Sequence, residues 1–108
     1  MSEASIHIAI TTIATRPEAD RLATTILSRK LAACVNIIGP ILSIYHWKGS
    51  IERGDEFLLI IKTSAANLQS LKTAILELHS YDTPEFLAFE TTAVSEAYAA
   101  WLLSSLAR

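Results

Sequence analysis

One imidazole and two carboxylates fall within seven residues in His79-Ser-Tyr81-Asp82-Thr-Pro84-Glu85, at the end of a helical stretch. Imidazole nitrogen and carboxylate oxygen are ligand types for divalent ions, so His79 is the candidate metal ligand of this chain. A closed metal site usually takes about four such donors, and no second histidine or cysteine lies nearby in the sequence. A complete site therefore needs donors from elsewhere in the fold or from another subunit. The same residues also have an architectural reading: a histidine in a last turn interacts with the helix dipole, while Asp82 and Pro84 shape a turn.

A second constellation is "IYHWKGSIE", Ile44 to Glu52. On a strand, alternate side chains point to opposite faces, so Tyr45 and Trp47 share one face while Ile44, His46 and Lys48 share the other. His46 and the two aromatic rings cannot then line one flat pocket. Tyr45 and Trp47 read either as packing residues or as the wall of a groove between subunits. Lys48, Glu52, Lys62 and Glu85 could close polar pairs there, or stand solvated on the surface. The residues expected to line a ligand cleft are Trp47, Lys48, Lys62, Tyr81 and Glu85.

Other chemistries lack their signatures. Gly39, Gly49 and Gly54 are isolated, so no phosphate-cradling glycine loop exists. No nucleophile elbow or cysteine-protease pattern surrounds Cys34, which reads as a small buried hydrophobe in a strand. His7 has the opposite parity to Ile6, Ile8 and Ile10 and reads as a satisfied or solvent-facing sheet residue. With no nucleophile beside a base, the expectation is a protein that is not an enzyme.

These groups need elements to hold them. Residues 5 to 14 alternate with period two and form a first strand. The next segment places Thr15 and Glu18 at capping-box spacing and Pro17 near its start, which predicts a helix from about 16 to 30. "AACVNIIGPILSIYHWKG" is β-branched and aromatic, but Gly39-Pro40 interrupts it, so it reads as one long, bent edge strand. It should pair with "DEFLLIIKT" in a hairpin whose tip lies near Lys48 to Gly54. "SAANLQSLKTAILELHS" carries Leu68, Leu71, Ile75 and Leu78 on one helical side. "EFLAFETT" gives a fourth strand, and a short helix capped by Ser95 closes the chain.

The order is βαββαβ plus a terminal helix, an α+β ferredoxin-like sandwich in a single domain over residues 1–108. Right-handed crossovers put both main helices on one face of the sheet. Yet Phe57, Leu59 and Ile61 point one way while Leu58 and Ile60 point the other, so both faces are apolar. The open face should be buried by further copies of the chain, with the terminal helix able to cover only part of it.

Hydrophobic residues make up 51% of the 108, charged residues 19%, and the net charge of −2 carries no basic run. That composition fits a folded domain and disfavours nucleic acid or an anionic membrane as partner. The acidic start lacks a secretory pattern, no segment has the roughly 20 consecutive apolar residues of a membrane helix, and a single cysteine fits a reducing compartment. A cytoplasmic location is expected.

Several words, in order along nearly the whole chain, resemble the CutA divalent-cation tolerance family. They are "KLAACVNI" (Lys30 to Ile37), "SIYHWKGSIE" (Ser43 to Glu52), "LIIKT" (Leu59 to Thr63), "ELHSYDTPE" (Glu77 to Glu85) and the late Tyr98 and Trp101. The resemblance implies a homotrimer of ferredoxin-like subunits, similar in architecture to the PII signalling proteins, with long hairpins packing between subunits. It also implies a role in the response to divalent metal ions, copper above all. The family's proposed copper ligands are a first-strand cysteine and a histidine pair ending the second helix; here those positions read Thr11 and Leu78-His79. The PII-like architecture implies an alternative, a module that binds a small molecule in clefts between subunits.

Overall fold

The computed structural model describes residues 4–107, and within them the strands and helices follow in the expected order. They are β1 (Ile6–Ile13), α1 (Arg16–Ser28), β2 (Cys34–Trp47), β3 (Ser50–Ser64), α2 (Ala65–Leu78), β4 (Leu87–Glu90) and α3 (Glu96–Leu106). The strands form one antiparallel sheet in the order β2-β3-β1-β4. This is the ferredoxin-like arrangement.

Register decides which face is the core. Ala9, Ile13, Leu59 and Ile61 point at Ala19, Leu22 and Ile26 of α1 and at Leu71 and Ile75 of α2, and all are buried. Each buried leucine or isoleucine among them contributes about 2 kcal/mol. The isoleucine stripe of β1 points the other way: Ile8 and Ile10 stand opposite Lys62 and Ile60 on the face that α1 and α2 leave open. His7 therefore faces the helices. It is buried, and its Nδ1 has no hydrogen-bond partner, which corrects the expectation of a satisfied or solvent-facing residue.

Local sequence explains where α1 starts and stops. Thr15 accepts a hydrogen bond from the Glu18 N–H at 3.3 Å and donates its hydroxyl to the Glu18 carboxylate at 2.8 Å. The helix ends at Ser28, two residues earlier than its periodicity suggests, because Lys30 takes a φ of 57°. Its N–H then reaches the Leu27 carbonyl and the Leu31 N–H reaches that of Ile26, which closes a Schellman turn without glycine. Ser95 precedes α3 as expected, but its side chain makes no capping bond.

The β2-β3 hairpin extends beyond the sheet and lengthens the molecule to 44 × 26 × 22 Å. A bulge between Ile38 and Ile41 bends it at Gly39-Pro40, where a Cβ on Gly39 would come within 2.5 Å of the Phe57 ring. Pairing then continues to Trp47 opposite Ser50. The tip is only Lys48-Gly49, with φ of 49° and 82°, and not the longer loop to Gly54. Two positive φ values match the twist of the flanking strands, so residues 50–55 can pair instead of looping.

On the open face α3 covers one end. Leu102 and Leu106 bury Ile6, and Lys30 Nζ reaches the Ala107 carbonyl at 2.8 Å. Ile8, Ile10, Leu58 and Ile60 remain half-buried, and Leu87 and Phe89 are 57% and 52% exposed.

Candidate functional site

His79 lies one residue past α2 and is buried. Its Nδ1 accepts the Tyr81 backbone N–H at 3.1 Å, which places the ring proton on Nε2, 2.7 Å from the Thr12 carbonyl oxygen. One imidazole thus ties the segment after α2 to the end of β1. The Tyr81 ring sits 4.7 Å from the imidazole. Held there, Tyr81 donates its hydroxyl to Glu56 Oε2 at 2.7 Å across to β3.

This bond lies in a cleft of about 580 Å³ between the hairpin arm and the segment after α2. Tyr45 and Trp47 line it from the arm, Glu56 from β3, and Tyr81, Asp82 and Glu85 from the opposite side. Burial, and then the hydrogen bond and charge of Glu56, push the Tyr81 phenol well above its ordinary range. Tyr81 is a fixed donor and not a phenolate. Burial, and next the Glu56 charge, also raise the Glu85 carboxyl above its ordinary value of 4.5.

Of the residues expected at a ligand cleft, the fold brings Trp47, Tyr81 and Glu85 together. Lys48 sits at the hairpin turn, its Nζ 5.7 Å from the centre of the Trp47 ring. Lys62 lies elsewhere. It is six residues along β3 from Glu56, about 20 Å of strand, and its ammonium contacts Asn36 Oδ1 and, at 3.7 Å, Cys34 Sγ. Cys34 is only partly buried, and Lys62 is its cross-strand neighbour, because both lie on the open face. Glu56 and Asp82 join the site without having been singled out from the sequence. Glu56 had a readable signal: it is the acidic member of a stripe continued by Leu58 and Ile60.

With this geometry in view, the chain matches the family described as CutA1 divalent ion tolerance protein over residues 7–105. The chain belongs to that CutA1 family. A curated relative, Protein CutA, chloroplastic, from Arabidopsis thaliana, is 42% identical over 94 residues, 87% of this chain and 52% of that protein. The chain therefore spans about half the length of that plant relative. The divalent-cation tolerance protein CutA of Pectobacterium atrosepticum is 35% identical over 109 residues, covering 98% of this chain and 99% of the relative. Among solved structures, the divalent ion tolerance protein CutA1 from Ehrlichia chaffeensis superposes with a TM-score of 0.94 at 31% identity, over 99% of this chain and 100% of that one. No helix among the described residues is long and apolar enough to cross a membrane.

The donors at the copper positions implied by the CutA resemblance do not fit a resident copper ion. Thr11 offers a buried hydroxyl that has no hydrogen-bond partner, and Leu78 offers no donor. Both His79 nitrogens are engaged within the chain, and a copper bond would have to displace one partner. Among the described residues no group of three or more His, Cys, Asp or Glu side chains could hold a metal ion.

Proposed function

We propose that this chain works as a cytoplasmic, non-enzymatic homotrimer in the response to divalent metal ions. The carrying observation is the open sheet face, where Ile8, Ile10, Leu58, Ile60, Leu87 and Phe89 form an apolar surface that α3 does not cover. Burial against further copies removes that surface from water at about 25 cal/mol per Å². Its relatives' names supply the cellular role, and the CutA resemblance supplies copper as the first ion to test. Because His79 is committed within its own chain, the reading assigns copper no ligand in a single protomer.

Deletion of the gene from its host, followed by growth in raised copper, zinc or cadmium, tests the role. The expected result is lost tolerance, restored by the wild-type chain and not by a Phe89→Asp variant that fails to assemble. Equal growth with and without the protein in all three metals contradicts it.

A second reading, a small-molecule module of PII-like type, is favoured by the cleft at Trp47, Tyr81 and Glu85, whose volume suits a small ligand. Melting shifts from a metabolite panel that disappear in Tyr81→Phe support this reading. A panel without any shift counts against it.

A further inference from the structure

A closed ring of identical chains with three-fold symmetry is built from a heterologous contact, in which two different patches of the chain meet at each junction. The β3 stripe that faces away from α1 and α2 carries opposite charges at its two ends. Glu56 stands at one end, with Glu85 close enough to feel its charge and Asp82 on the same cleft wall. Tyr81 takes one Glu56 oxygen, and no Lys, Arg or His of the same chain lines the cleft beside these carboxylates. Lys62 stands at the other end, half-buried, and its ammonium contacts only Asn36 Oδ1 and Cys34 Sγ.

Glu56 and Lys62 lie about 20 Å apart along the strand, so neither neutralises the other within one chain. Between them Leu58 and Ile60 belong to the apolar surface that assembly removes from water. Charges at the ends of that surface are desolvated with it, and a desolvated charge without a partner costs far more than a paired one. In an assembly of identical chains the partner must come from this same sequence. Arg16, Arg21 and Lys72 stand exposed on the helices of the opposite face, and Lys30 holds the Ala107 carbonyl. Lys48 lies beside Trp47 at the hairpin tip. Arg53, on the arm, has the opposite parity to Glu56 along β3. Lys62 shares the stripe, is already drawn partly from water, and itself lacks a carboxylate among the described residues.

We propose that the Lys62 ammonium of each copy enters the acidic cleft of the neighbouring copy and pairs there with Glu56 and Glu85, so that assembly completes the site. This rests on the homotrimer reading above and specifies its contact. It also constrains the geometry of the ring. Rotation about an axis parallel to β3 would bring each Lys62 to the height of the next Lys62, so the pairing requires β3 to run inclined to the three-fold axis.

Sedimentation equilibrium of the wild type, Lys62→Glu, Glu56→Lys and the double swap tests it, with far-UV circular dichroism to report folding. Each single reversal is expected to weaken trimer association by at least about 30-fold, and the double swap to recover at least about 10-fold of that loss. Glu77→Lys makes the same charge change on the exposed side of α2 and should leave association unchanged. Where a reversal fails to fold, Lys62→Met, Glu56→Gln and their double mutant replace it; the double mutant should then lose less than the two single losses combined.

A monomeric wild type overturns the homotrimer reading and this contact with it. A wild-type trimer that both single reversals leave intact overturns the contact alone, as does a double swap no better than the weaker single variant. If Lys62→Glu has no effect while Arg53→Glu dissociates the trimer, Arg53 is the cation and the assignment of Lys62 falls.

Discussion

His79 satisfies two backbone groups with one ring, the Tyr81 N–H and the Thr12 carbonyl. Removing the ring leaves both without that partner in a buried place, so His79→Ala should lower stability by about 2 kcal/mol in urea unfolding of the metal-free protein. Were the ring held free for a metal, the same substitution would leave metal-free stability unchanged. Glu85 carries a pH signature. Its carboxyl is raised in the folded state, so from the ordinary 4.5 upward to the raised value the unfolded chain loses its proton first. Stability from this group is therefore complete below the ordinary value and declines as pH rises through that window. Glu85→Gln should raise the urea midpoint at neutral pH and leave it unchanged well below 4.5. An equal change at both pH values would contradict this assignment. Spacing alone drew attention to His79, Tyr81 and Glu85, but not to what they do. The partner of His79 is a carbonyl 67 residues away, and that of Tyr81 is a glutamate 25 residues away on β3. Neither pairing leaves a local trace.

The hairpin arm positions half of the cleft, and its turn holds it in register. Gly49 has a φ of 82°, where a β-branched side chain is strained. Gly49→Val should cost about 1–2 kcal/mol and increase hydrogen exchange at the Trp47 and Ser50 amides first. Unchanged exchange there would mean that the turn does not anchor the arm. Most elements were readable because their signals are local: period two in β1, the Thr15 cap of α1, the Gly39-Pro40 bend in β2. The misplaced boundaries fell where a non-glycine residue adopts positive φ. Lys30 ends α1 early, and Lys48 with Gly49 compresses the tip to two residues. Lysine gives no sequence warning of a left-handed conformation.

At the scale of the molecule, the apolar open face follows from topology. Once α1 and α2 pack on the side of Ala9 and Ile13, Ile6, Ile8 and Ile10 must lie on the other, with Leu87 and Phe89 of β4 beside Ile10 and Ile8. Two apolar sheet faces were visible in the sequence. Which of them the helices cover was not, because the parity of β1 is settled by its pairing with Leu59 and Ile61. Ile10→Asp or Phe89→Asp places a charge in the middle of that surface and should leave a folded, dispersed protein, seen as unchanged far-UV circular dichroism with a smaller hydrodynamic radius. The most direct measurement is sedimentation equilibrium of the wild-type chain at micromolar concentration. A single species of three times the 11.8 kDa chain mass is the expected result, and a single species at 11.8 kDa would contradict the account.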